Sequence, residues 1–63
     1  MLIKAVYEDR RRPCFVNMDY VIDVFPHGDD VIAYTFDNER GGYIISKRDF
    51  DEWMKGENDG ETD

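Results

Sequence analysis

A chain of 63 residues with one cysteine and one histidine has no covalent or metal staple to draw on, so packing or a partner must hold it together. Cys14 has no second thiol to pair with, and Cys14 with His27 falls short of the four ligands of a structural zinc site. A domain of this size buries only about 60% of the surface its unfolded form exposes, and one small core rarely supplies more than roughly 3–5 kcal/mol. One domain fits, and the expected support is a binding partner or, more simply, a homodimer. At 41% hydrophobic and 14% aromatic, the composition is too apolar for a disordered chain.

Most of the large apolar side chains lie between Tyr20 and Met54, so a core has to form there. Leu2–Tyr7 is rich in β-formers and reads as a first strand, apolar enough on both faces to be covered on both sides. Glu8 to Pro13 is a charged turn, and Cys14–Val16 a short second strand. Asn17 and Asp19 are turn or cap residues. Tyr20–Pro26 alternates as a strand does, and His27-Gly28-Asp29-Asp30 is a turn that sends Val31–Phe36 back antiparallel. The loop Asp37–Gly42 then leads into Tyr43–Ile45. Ser46 reads as the N-cap of a helix with Asp49 at its third position; Phe50, Trp53 and Met54 share one helical face, and Gly56 is a natural stop.

The pattern predicts an α+β fold: a small antiparallel β-sheet of four to five strands in a meander, with one C-terminal helix packed on one face. Residues 1–56 form this domain and 57–63 a flexible acidic tail. A helix of about nine residues, roughly 14 Å long, cannot cover both faces. Either the sheet curls into a barrel-like form or its second face meets another protomer or partner.

Fifteen acids against eight bases give a net charge of −7, and residues 57–63 hold four of those acids and none of the bases. A negative field opposes non-specific contact with phosphate backbones and favours basic partners. Met1-Leu2-Ile3-Lys4 runs straight into a strand, with neither a signal peptide nor a membrane span. With a lone thiol, this predicts a cytoplasmic protein, in the host cell cytoplasm for a phage-encoded one.

No residue pattern points to catalysis, a metal or a cofactor. His27 beside Asp29 and Asp30 lacks the nucleophile or second histidine that a general base would serve, and reads as an exposed turn residue. Cys14 has arginines nearby that could activate it, but a strand cysteine is more often a small buried hydrophobe. Arg10, Arg11 and Arg12 form the one basic cluster; Glu8, Asp9 and the overall charge oppose a direct nucleic-acid role for it. Tyr20, Phe25, Tyr34, Phe36 and Tyr43 could stack bases, yet in so short a chain they are expected in the core. The acids Asp23, Asp29, Asp30, Asp37, Glu39, Asp49, Asp51 and Glu52 are spread over turns, a strand face and the helix. Carboxylates so spread can line a surface as phosphates line a duplex, and are the expected partner-binding residues.

The stretch Phe15-Val16-Asn17-Met18-Asp19-Tyr20-Val21-Ile22-Asp23-Val24, then Pro26, Asp30-Val31-Ile32 and Tyr43-Ile44-Ile45-Ser46, resembles the small flagellar-operon protein family of Gram-positive bacteria and spirochaetes. That family runs an Asn-x-[acid]-x-Ile pattern into Pro-Asp-Thr-x-Ile, a turn glycine and Tyr-x-Val before a short helix. The resemblance covers about residues 15 to 53. The chain departs from it in the residues around Asp29, the longer Asp37–Gly42 loop and the acidic tail. It implies a β-meander with a helix and a regulatory or structural subunit role. In size, acidity and lack of catalytic residues the chain is also similar to phage-encoded inhibitors of host defence, including small anti-CRISPR proteins. The leading expectation is therefore a non-catalytic, DNA-mimic style binding protein for a basic, nucleic-acid-handling partner. The alternatives are the flagellar-type subunit and a dimeric nucleic-acid-binding module.

Overall fold

The computed structural model describes residues 1–9, 11–36 and 41–61. Five strands, β1 (Leu2–Tyr7), β2 (Pro13–Asn17), β3 (Val21–His27), β4 (Asp30–Thr35) and β5 (Tyr43–Ser46), precede one helix, α1 (Lys47–Glu61). All pairings are antiparallel, and the strand order is β2-β1-β5-β4-β3. The expected α+β sheet with a C-terminal helix is what forms.

The connection between β2 and β3 shapes the sheet. These strands are its two edges, yet only the 3-10 turn Met18–Tyr20 joins them. Four chain steps from Asn17 to Val21 reach at most about 14 Å. Four inter-strand gaps in a flat sheet would separate the edges by roughly 19 Å. The sheet must therefore curl until its edges approach one another. Asn17 fixes the turn by accepting the Asp19 N–H at 3.0 Å, and Met18 is buried inside the curl.

Pairing register assigns the faces. The inner face carries Ile3, Ala5, Val16, Val31, Ala33 and Ile45, all buried, with Met18 packed among them. Phe50 and Trp53 of α1 pack against this cluster, while Met54 is more exposed. The outer face carries Leu2, Lys4, Val6, Phe15, Ile44, Ile32 and Phe25. Strand β1 is thus covered on one side, where cover on both was expected: Leu2 and Lys4 are exposed, while Phe50 and Trp53 of α1 pack against the inner cluster.

Local chemistry sets the turns. Gly28 has φ +61° and Asp29 does not take positive φ, the arrangement of a type II′ hairpin between His27 and Asp30. Arg11 adopts φ +55°, closing the β1–β2 turn with its N–H donated to the Tyr7 carbonyl at 2.8 Å. Ser46 Oγ accepts the Asp49 N–H at 3.1 Å, the expected cap. Glu8 ties the far end of β1 to the start of β5: its N–H donates to the Gly42 carbonyl, and its Oε1 accepts the Gly42 N–H, both at 3.0 Å.

Three expectations need correction. Tyr20 lies in the 3-10 turn rather than β3, and Ile22 falls at an irregularity in the β3–β4 pairing, between the Val21 and Asp23 registers. Helix α1 does not stop at Gly56 but continues to Glu61, since a glycine inside a helix costs only about 1 kcal/mol and nothing tertiary competes for that backbone. Tyr20, Phe25 and Phe36, expected in the core, are 58%, 51% and 72% exposed: the pairing register turns Phe25 to the outer face, and Tyr20 and Phe36 lie outside the strands.

Gly42 and Ile32 interlock. A Cβ at Gly42 would lie 2.7 Å from Ile32 Cγ1 and 3.1 Å from the Ala33 carbonyl oxygen. Gly42→Ala should therefore destabilise the fold by about 1–3 kcal/mol through overpacking, read as a lower urea midpoint. Ser46→Ala should cost about 0.5–2 kcal/mol in the same assay, with helicity lost from α1.

Candidate functional site

Three of the exposed rings converge. Phe15 on β2, Tyr20 in the 3-10 turn and Phe36 just past β4 border a groove of about 320 Å³. Val16, Asn17, Thr35 and Tyr43 complete its lining. The groove marks the seam where the end of β2 approaches the end of β4 and the start of β5. Phe15 is 66% exposed, and the Tyr20 and Phe36 rings stand 6.5 Å apart, tilted by 35°. The same curl that brings the sheet edges together creates the groove, since it gathers residues from three separate strands. Exposed aromatic clusters of this kind mark binding surfaces more often than scattered apolar residues do.

The predicted acidic residues fall into two groups. Asp23, Asp29 and Asp30 belong to the β3–β4 hairpin, which contains no lysine or arginine. Asp51 and Glu52 are exposed on α1 and Asp49 is half-buried there, and Lys47, Arg48 and Lys55 alternate with them and offset their charge. Asp37 and Glu39 lie outside the described residues. The one ion pair seen among the described residues joins the Met1 ammonium to Asp19 at 3.3 Å, and the ammonium also donates to Asn17 Oδ1. The carboxylates of Asp23, Asp29, Asp51 and Glu52 are left to solvent.

Arg11 and Arg12 are exposed on the β1–β2 turn, with Arg10 outside the described residues. His27 is exposed at the opposite hairpin. Among the described residues, no three His, Cys, Asp or Glu side chains come together in a way that could hold a metal ion. Among the described residues, no helix is long and apolar enough to cross a membrane. Cys14 is partly buried against the core, and desolvation raises its thiol pKa above the ordinary value.

The groove was not legible as a site in the sequence. Its residues come from four separated stretches, and the only signal was the surplus of aromatics over what a 63-residue core can hold. No protein-family model, curated protein or solved structure matches the chain.

The raised Cys14 pKa has a definite sign. The protonated thiol is favoured in the fold, so this stabilising contribution is present below the usual thiol range and is lost as pH rises through the folded-state value. Alkylation of Cys14 by iodoacetamide at neutral pH should be slower in the folded protein than in urea, and the two rates should converge as pH rises. Equal rates at neutral pH would show the thiol to be neither shielded nor shifted.

Proposed function

We propose that the protein is a small, non-catalytic binding protein that acts stoichiometrically on a basic, nucleic-acid-handling partner, in the manner of phage-encoded anti-defence inhibitors and DNA mimics. The observation that carries this reading is the exposed groove of Phe15, Tyr20 and Phe36 on a chain of net charge −7. Aromatic faces hold arginine and lysine side chains by cation–π attraction, worth about 0.5–2 kcal/mol each. A negative field raises the encounter rate with a basic partner and discriminates against an acidic one. Charge thus brings the partner in, and the rings anchor it. The carboxylates of the β3–β4 hairpin, with no lysine or arginine among them, are one local source of that field.

A second reading has its own support. The groove is more apolar than polar in its lining side chains, which also suits a regulatory or structural subunit of the flagellar type, bound through apolar contact. Salt separates the two, because apolar anchoring survives ionic strength and charge steering does not.

The test is capture from bacterial lysate on the immobilised protein, with elution first by duplex DNA and then by high salt. A basic nucleic-acid-binding protein released by the duplex is the expected result. The Tyr20→Ala/Phe36→Ala variant should bind that partner at least about tenfold more weakly. Asp51→Asn/Glu52→Gln with Asp29→Asn should weaken it several-fold and flatten the salt dependence. Retention that resists duplex and salt and ignores the carboxylate variants would sink the acidic mechanism and leave the apolar subunit reading.

A further inference from the structure

The groove runs against the open edge of β2. Phe15 and Asn17 on the outer face and Val16 on the inner face all line it, so these consecutive residues meet it along the strand's edge. The ladder shows which backbone groups point there. Met18 donates its N–H to the Met1 carbonyl at 2.9 Å, and Tyr7 donates to the Arg12 carbonyl at 3.0 Å. Hydrogen-bonded pairs alternate with non-hydrogen-bonded pairs along an antiparallel ladder. The bonded pairs between those two are therefore Ile3 with Val16 and Ala5 with Cys14. Phe15 and Asn17, opposite Lys4 and Leu2, turn their backbone groups away from β1. The Phe15 N–H, the Phe15 carbonyl and the Asn17 N–H have no hydrogen-bond partner among the described residues.

The rest of the sheet's edges is blunted. Pro13 also faces outward from β2 and has no N–H to offer. Strand β3, the other edge, breaks its register between Val21 and Asp23 and carries Pro26. Prolines and irregularities of this kind keep an edge from being extended. Phe15 to Asn17 is the stretch left open, and aromatic rings flank it.

We infer that this edge takes an extended, basic segment of the partner protein, added to β2 as a short extra strand. The partner's charge rests on the proposed function, and the mode of binding rests on the ladder. Main-chain bonds to Phe15 and Asn17 hold the segment, and its side chains give selectivity. In either direction of pairing, the residue opposite Val16 turns its side chain to the face that Val16 occupies. There it enters the groove over Val16, Thr35 and Tyr43, beside the Tyr20 and Phe36 rings. A volume of about 320 Å³ suits one large apolar side chain at that position. None of the lining residues is charged, so the chain as a whole sets the sign of the segment. Its net charge of −7 lies within a radius of gyration of 11.6 Å, little more than the Debye length of about 8 Å at physiological ionic strength, and is felt at the groove. The same charge opposes a second copy at this edge, since two such chains repel.

The test is titration of the whole isotope-labelled chain with the capped heptapeptide Lys-Lys-Val-Leu-Val-Lys-Lys, read in amide NMR spectra, with circular dichroism to check the fold of each variant. The Phe15 and Asn17 amide signals should shift together as the peptide binds. Backbone N-methylation separates main-chain pairing from mere contact, because only alternate residues of an added strand face β2. Methylating the central leucine and methylating the two valines should therefore differ: one weakens binding about tenfold or more, and the other leaves it within about twofold. Glutamates in place of the lysines should weaken it about tenfold or more, and Tyr20→Ala/Phe36→Ala should weaken it several-fold. Equal sensitivity to methylation at every position would overturn strand addition and leave the proposed function standing. Equal affinity for the glutamate peptide would sink both. Shifts at Phe15 and Asn17 that follow protein concentration without peptide would give the edge to a second copy and refute the inference, as would their absence at millimolar peptide.

Discussion

The length of the Met18–Tyr20 connection is the constraint from which the rest of the structure follows. Three residues cannot bridge the edges of a flat five-stranded sheet, so β2 can lead into β3 only if the sheet is curled. Curling encloses one face of the sheet, and the pairing register decides which residues it encloses. Ala5 and Ala33 are buried there with Val16, Val31, Ile3 and Ile45. Phe15 and Phe25 fall on the other face by register, and Tyr20 and Phe36 lie outside the strands. Their exposure is a consequence of the topology and not a lapse in patterning.

The same constraint limits stability. The buried set is small and mostly aliphatic, and α1 adds only the half-buried Phe50 and Trp53 as a partial lid. The Met1–Asp19 ion pair is exposed on both sides and contributes little beyond positioning the first residue. With no disulfide, the fold relies on local devices: the Asn17 and Ser46 caps, the Glu8–Gly42 clamp and the left-handed Arg11 and Gly28 turns. Each removes an unsatisfied backbone group or a strained alternative at a strand end. Such devices sharpen the fold but add only modest stability, which is why apolar surface left outside is suited to association.

Elements set by neighbouring residues were legible in the sequence. Strand β1, the Gly28 turn, the Ser46 cap and the Phe50–Trp53 face each follow from spacing within a few residues. The pairing of β1 with β5 was not legible, because no turn links the first strand to the last. That pairing and the short 3-10 turn together produce the curl, so the seam groove was equally hidden. The exposed rings were misread for a related reason: both faces of β3 and β4 are apolar, and periodicity alone cannot say which face a curl will enclose. Gly56 was misread because a glycine marks a helix end only where the chain has a reason to turn.

The groove is a product of the same topology. Phe15, Tyr20 and Phe36 border it and Tyr43 of β5 lies in its lining, so four separated stretches of the chain meet there only because the connection between β2 and β3 is short. Rings carried on or beside paired strands and a capped turn have little further freedom to lose when something binds over them, and a surface so prepared keeps more of its contact energy as affinity. The turn that holds the sheet in its curl therefore also places the rings that the core does not use.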